Sequence, residues 1–274
     1  FAGAESETNV GVAKVPDERV GRLAELYRPK KTTYAEITYR DLGLAKGSGA
    51  GEGISAKKLG DLRTSDALLH VVRAFRDPSI PHPEGSVDPE RDLATLALEL
   101  LVADHGVVER RLERIEPELR AAKGPEREAR EREKTLLGRC LAALDAETPL
   151  RDLELDSDEQ RLVRGFRFLT LMPQLVVVNL DDADIARPDP VLTPIRALAS
   201  RHRATSVVHV CAKLEAEIEQ YVTLEQFPLN GDFFVARLQI GKRVREFLKP
   251  YEQEQAAGAE RQRQEQAAEA ERQR

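Results

Sequence analysis

Five glycines, at positions 43, 47, 49, 51 and 53, sit between two stretches with the spacing of strands. Ahead of them, TTYAEITYRD sets Ala35, Ile37 and Tyr39 against polar neighbours, the period-two alternation of an extended chain. Behind them a short helix is predicted near 54–64, and then an apolar strand at 67–73. Glycine lets a backbone turn sharply and approach a ligand closely. Asp41 leaves the first strand directly into this loop, an order by which phosphate-handling α/β proteins set a Mg²⁺ beside a nucleotide. The usual companion, GxxxxGK[ST], is not in the sequence. Its only Gly-Lys pair, Gly241-Lys242, is followed by arginine and has no glycine five residues before it.

The rest of the chain alternates strands with helices. A strand near 10–15 leads to a helix at 17–27, with Asp17 as its cap. The proline-dense run DPSIPHPEGSV (77–87) marks a boundary. Beyond it Leu93, Leu96, Leu100, Ala103 and Val107 recur at three and four, and Val108, Leu112, Ile115 and Leu119 continue in a shifted phase. This predicts a coiled-coil-like helix, kinked if it runs through Pro117 and broken at Gly124-Pro125. A second helix, about 126–146, lines up Leu136, Leu137, Cys140, Leu141 and Leu144, so the pair reads as an antiparallel hairpin. A third helix is expected over 156–170, returning to the core through Leu162, Phe166 and Leu169.

The continuous apolar run QLVVVNL (174–180) suits a strand buried on both faces of a parallel sheet. A helix at 189–202, a strand at 205–212 and the helix KLEAEIEQY extend it. The fold class is therefore α/β: a three-layer, mostly parallel sheet carrying an inserted antiparallel helical hairpin. Near the end, Asn230-Gly231 could turn a hairpin, and AAGAERQR and AAEAERQR repeat eleven residues apart, suggesting a charged helical or disordered tail.

Charge and cysteine content exclude several functions. A net charge of −6 argues against a general nucleic-acid surface, so no DNA partner is expected. Two distant cysteines, Cys140 and Cys211, make neither a disulfide framework nor a metal site and fit a reducing cytoplasm. No 18-residue apolar run or signal peptide is present, so no membrane association is expected.

Several blocks, in order, resemble one family. NVGVAKVPDERVGRLAELYRPKK (9–31), the glycine loop, SDALLHVVRAFRD (65–77), GSVDPERDLATLALELLVADHGVVERRLERIE (85–116), LVVVNLDDADI (175–185) and VVHVCAKLEAEI (207–218) are similar to the YchF / Obg-like ATPase family of TRAFAC-class P-loop proteins. The similarity covers roughly residues 7–220. It implies a nucleotide-binding domain with a helical insertion, a preference for ATP despite a GTPase ancestry, and a ribosomal or rRNA partner. The departures are specific. No phosphate loop precedes Asn9, Glu5 stands where the family's switch threonine falls, Asp41-Leu42-Gly43 is one residue short of DxAG, and no TGS module is recognisable after residue 220. The chain reads as a truncated or divergent homologue. Its expected parts are 1–80 and 156–221 for the nucleotide domain, 81–155 for the hairpin and 222–274 for a divergent C-terminal segment.

On this resemblance, Asn179 and Asp182 stand in the NKxD slot that reads the base, and Cys211-Ala212-Lys213 takes the SAK position, where the Ala212 N–H and the Lys213 stem meet it. A strand-end asparagine capping the next turn is the plainer alternative for Asn179. Asp41 would hold Mg²⁺ through water, and Gly43 would offer its N–H to the γ-phosphate. Leu44 occupies the place of the water-orienting glutamine and cannot act as one, which leaves His82 as candidate base, or as a loop histidine with only local hydrogen bonds. His70, inside a strand, reads as a satisfied core residue. Without a phosphate loop, ATP or GTP with Mg²⁺ is expected to bind weakly and turn over feebly or not at all. The alternative is a non-catalytic adaptor that uses the hairpin and charged tail for protein contacts.

Overall fold

The structure is a computed structural model and describes residues 9–15, 17–42 and 54–221. Expectations for Glu5, Gly43, Leu44, the glycine run and everything past Tyr221 lie outside the described residues. Two compact units are distinguished, one built on residues 10–40 and the other starting at Asp41.

In the first, β1 (Asn9–Lys14) and β2 (Glu36–Asp41) pair in a two-stranded sheet. Between them α1 (Glu18–Tyr27) starts where Asp17 accepts the Arg19 N–H at 3.0 Å. It stops at Arg28, whose left-handed backbone (φ 46°) turns its N–H onto the Ala24 carbonyl at 2.8 Å. No described side chain of residues 10–40 is buried.

In the second unit, β3 (Leu68–Ala74), β4 (Gln174–Leu180) and β5 (Thr205–Val210) form a parallel sheet in that order. The register sets His70 beside Val176, whose other neighbour is Val207, and Arg73 beside Asn179, whose other neighbour is Val210. The central strand β4 is buried along nearly its whole length, as its unbroken apolar run requires. On one face, Val72, Val176, Val178 and Leu180 meet Leu93 of α3 (Pro89–Ala121) and Leu192 and Ile195 of α6 (Asp189–Ala199). At the other end of β3, Leu68 packs with Leu100, Leu169 and Met172, and α2 (Ala56–Leu62) adds Leu59 and Leu62.

The hairpin pairs α3 with α4 (Pro125–Asp145), joined through Gly124, whose φ of 55° suits glycine. Leu101, Val108, Leu136, Leu137 and Cys140 form the seam, and burial pushes the Cys140 thiol up to about 11. Across the hairpin Arg111 reaches Glu133 at 2.7 Å and Lys134 pairs with Glu116, while Arg111 also holds Glu118 of its own helix at 2.7 Å. Pro117 does not end α3, which continues to Ala121.

The expected helix over 156–170 is shorter. α5 (Ser157–Arg164) begins with a reciprocal cap between Asp156 and Glu159 and ends six residues early, leaving Leu162 41% exposed and Val163 buried. The last turn tightens, with Phe166 and Arg167 donating to the carbonyls of Val163 and Arg164, and Arg167 at φ 52° turns the chain away; α3 then fixes the residues that follow. Asp104, fully buried, accepts the Leu169 N–H at 3.1 Å, the Thr170 N–H at 2.7 Å and the Thr170 hydroxyl at 2.8 Å. Those N–H groups serve a carboxylate instead of a helical carbonyl. Arg63, at the end of α2, completes the knot at 2.8 Å from Asp104 and donates to the Arg167 carbonyl at 2.8 Å. Opposite charge and four donors make the buried carboxylate tolerable.

Candidate functional site

The C-terminal ends of β4 and β5 open onto two short loops, the edge where open α/β sheets take ligands. Asn179 lies one residue from the end of β4, and its Oδ1 accepts the N–H of Ala212 at 3.0 Å, where α7 (Ala212–Tyr221) begins. At the very next residue, the Lys213 ammonium meets Asp182 Oδ2 at 2.9 Å. Four sequence-singled residues thus come together through two contacts spanning more than thirty positions. A side-chain hydrogen bond with Asp181, together with the Lys213 ammonium, holds Asp182 down to about 2, so it is a carboxylate at neutral pH. Chemically, an ionised acceptor and a cation are presented side by side at the sheet edge. The Ala212 N–H, expected to read a base, is here given to Asn179.

Asp41 is the last residue of β2 and its side chain is exposed. Among the described residues no group of three or more His, Cys, Asp or Glu could hold a metal ion. A lone carboxylate does fit Mg²⁺, which keeps several waters and takes one or two carboxylates together with phosphate oxygens.

His82 lies in the turn before α3, where both ring nitrogens are engaged. Nε2 is 2.9 Å from Asp92 Oδ2, and Nδ1 accepts the Glu84 N–H at 3.1 Å. The turn closes when Gly85, at φ 76°, donates to the His82 carbonyl at 2.9 Å. Arg91 holds the other Asp92 oxygen at 2.8 Å and the Ser86 carbonyl at 2.7 Å. His70 departs from the satisfied core residue expected of it. Its Nδ1 is buried with no hydrogen-bond partner among the described residues, and burial lowers the ring to about 4 against a smaller opposing pull from Asp92.

Sequence reading missed two features. Arg73, beside Asn179 in the register, donates to the carbonyls of Phe75 (3.1 Å), Asp77 (3.3 Å) and Ile80 (3.0 Å) and lies 4.6 Å from the Phe75 ring. An arginine ending a strand ahead of an Asp-Pro turn was the available signal. The Arg63–Asp104 knot offered none, because its members are 41 residues apart.

A parallel sheet flanked by helices, with paired loops at its C-terminal edge, defines an α/β fold of the P-loop nucleotide-binding class. The solved structure of the Schizosaccharomyces pombe YchF GTPase superposes on it with a TM-score of 0.67 and 30% identity, covering 79% of this chain and 58% of that one. No family model matches the chain. Curated relatives described as ribosome-binding ATPase YchF do. The Bacillus subtilis protein is 38% identical over 230 residues, covering 80% of this chain and 62% of the relative. Those of Haemophilus ducreyi (33%, covering 87% and 64%) and Escherichia coli O157:H7 (35%, covering 78% and 58%) agree. The chain is a homologue of the YchF / Obg-like family and spans about six-tenths of the length of these relatives.

Proposed function

We propose that this chain binds a purine nucleoside triphosphate with Mg²⁺ at the C-terminal edge of β4 and β5, in a cytoplasmic, ribosome-associated role. The observation that carries the reading is the double contact Asn179–Ala212 and Asp182–Lys213, which joins the two segments assigned to the base. Asp182 would accept from base N–H groups, and Lys213 would lay its stem along the ring. Asp41, through water, and Gly43 would face the phosphates. Bound Mg²⁺ supplies charge neutralisation on the β- and γ-phosphate oxygens. His82 would take the proton of the attacking water in hydrolysis of the β–γ bond. The domain reading follows: 1–80 and 156–221 form the nucleotide domain, 81–155 is the hairpin that meets the partner, and 222–274 is a separate C-terminal segment. Relatives named ribosome-binding ATPase and a neighbour named GTPase support the reading. Among the described residues, no helix is long and apolar enough to cross a membrane.

Isothermal titration of the chain with ATP and with GTP in Mg²⁺ tests this. Weak heat, in the millimolar range, is the expected result, with Asn179→Ala reducing the difference between the two bases and Asp41→Ala removing the Mg²⁺ dependence. Micromolar affinity would mean that phosphates are held without a glycine-lysine loop. Silence at millimolar ligand would replace this reading with the non-catalytic adaptor.

A further inference from the structure

The hydrogen bonds around His82 assign its tautomer. A backbone N–H can only donate, so Nδ1, 3.1 Å from the Glu84 nitrogen, is the acceptor. The proton of the neutral ring is then on Nε2, 2.9 Å from Asp92 Oδ2, a carboxylate that accepts it. Asp92 is itself held. Arg91 grips its second oxygen through Nε (3.1 Å) and Nη2 (2.8 Å), and also reaches Ser86 at the far side of the turn. Asp92 lies in the first turn of α3, whose start is capped separately by Asp88 through the Arg91 N–H at 3.1 Å. The His82 ring is 11% exposed and the Asp92 side chain 19%. Neither ring nitrogen presents a lone pair outward, so the ring in this pose cannot accept a proton from water.

We propose that Asp92 is a positioning residue: it fixes His82 as the Nε2-protonated tautomer, so that Nδ1 is the basic atom, and the Glu84 N–H covers that atom until the 82–85 turn opens. A carboxylate behind one nitrogen of an imidazole orients the ring and stabilises the imidazolium formed when the other takes a proton. Opening the turn would uncover Nδ1 while Asp92 keeps its hold on Nε2, leaving an oriented base. Arg91 ties the 82–86 turn to the same helical turn that carries Asp92, so cover and orienter are borne by one piece of structure. This inference rests on the reading of His82 as the base.

The test is a long-range ¹H–¹⁵N correlation spectrum of the histidine-labelled full chain, at a pH where the rings are neutral, with His82 assigned by its loss in His82→Gln. The expected spectrum gives His82 an unprotonated Nδ1, a protonated Nε2 and a slowly exchanging Nε2 proton. Asp92→Ala should abolish that slow proton, while Asp92→Asn, which keeps an acceptor oxygen, should restore it. The four other histidines report whether each variant remains folded. A His82 protonated on Nδ1, or a rapidly averaged ring in the unsubstituted chain, overturns the proposal without any variant, as does a signature unchanged in Asp92→Ala. Hydrolysis is a separate readout. Turnover unaffected by His82→Ala would remove the base assignment while leaving the tautomer standing, so the two failures are distinguishable.

Discussion

Residues 10–40 and the sheet of β3, β4 and β5 are both made of strands and helices with clear local signals, yet they differ in what they bury. The first has a capped helix, a left-handed stop at Arg28 and alternating strands, but Val10 and Val12 stand 62% and 61% exposed. In the second, Val176 and Val178 are fully buried, and the hairpin root adds Leu137, Leu150 and Leu169 at 1% exposure or less. The difference shows that capping and alternation settle which elements form, whereas stability depends on apolar side chains leaving water. Even within the second unit the contrast returns: Leu69 and Val71, on the outer strand β3, are 44% and 57% exposed beside the buried Leu175 and Val177 of β4.

The comparison breaks most visibly at Asp104. Asp104→Ala should destabilise the second unit by about 3–5 kcal/mol, because Arg63 and two backbone N–H groups lose their buried acceptor. Urea unfolding measures this, and a loss below ~1 kcal/mol would show that water replaces the carboxylate. Leu137→Ala in the hairpin seam should remove about 2–5 kcal/mol by the same measurement. His70 gives a pH-dependent version. Its folded value, about 4, lies below its ordinary 6.5, so the unfolded chain binds the proton more readily. Stability is therefore complete above 6.5 and falls as pH drops towards 4, by at most about 3 kcal/mol. His70→Phe should flatten the melting temperature over that window, and an unchanged slope would contradict the burial argument. At the small end, Val12→Ala should change global stability by less than about 0.5 kcal/mol. A larger loss would mean that β1 is covered in solution.

How much was legible from sequence follows the range of the forces. The strand at 174–180 was readable residue for residue, because seven consecutive largely apolar positions suit a strand buried on both faces. Asp17, Gly124 and Pro125 marked their helix ends for equally local reasons. The helix expected to reach residue 170 stops at Arg164, where Gly165 caps it and the left-handed Arg167 turns the chain; the carboxylate that then takes the Leu169 and Thr170 N–H groups lies more than sixty positions earlier. At the sheet edge, the family resemblance pointed to Asn179, Asp182, Ala212 and Lys213, but nothing local said that Asn179 would take the Ala212 N–H. His82 stood out by its proline-rich setting, while the occupation of both its nitrogens depends on how residues 82–92 fold back.

The length of α3 has a mechanical consequence. Its 33 residues make a rod of about 50 Å, pinned near its middle at Asp104. On the Asp92 side of that pin Leu93 and Leu100 are buried against the sheet, and Leu101, Val108 and Ile115 are buried beside it and beyond it. Held along its length in this way, α3 is a strut: the turn that carries His82 and the sheet that carries Asn179 are fastened to one and the same helix.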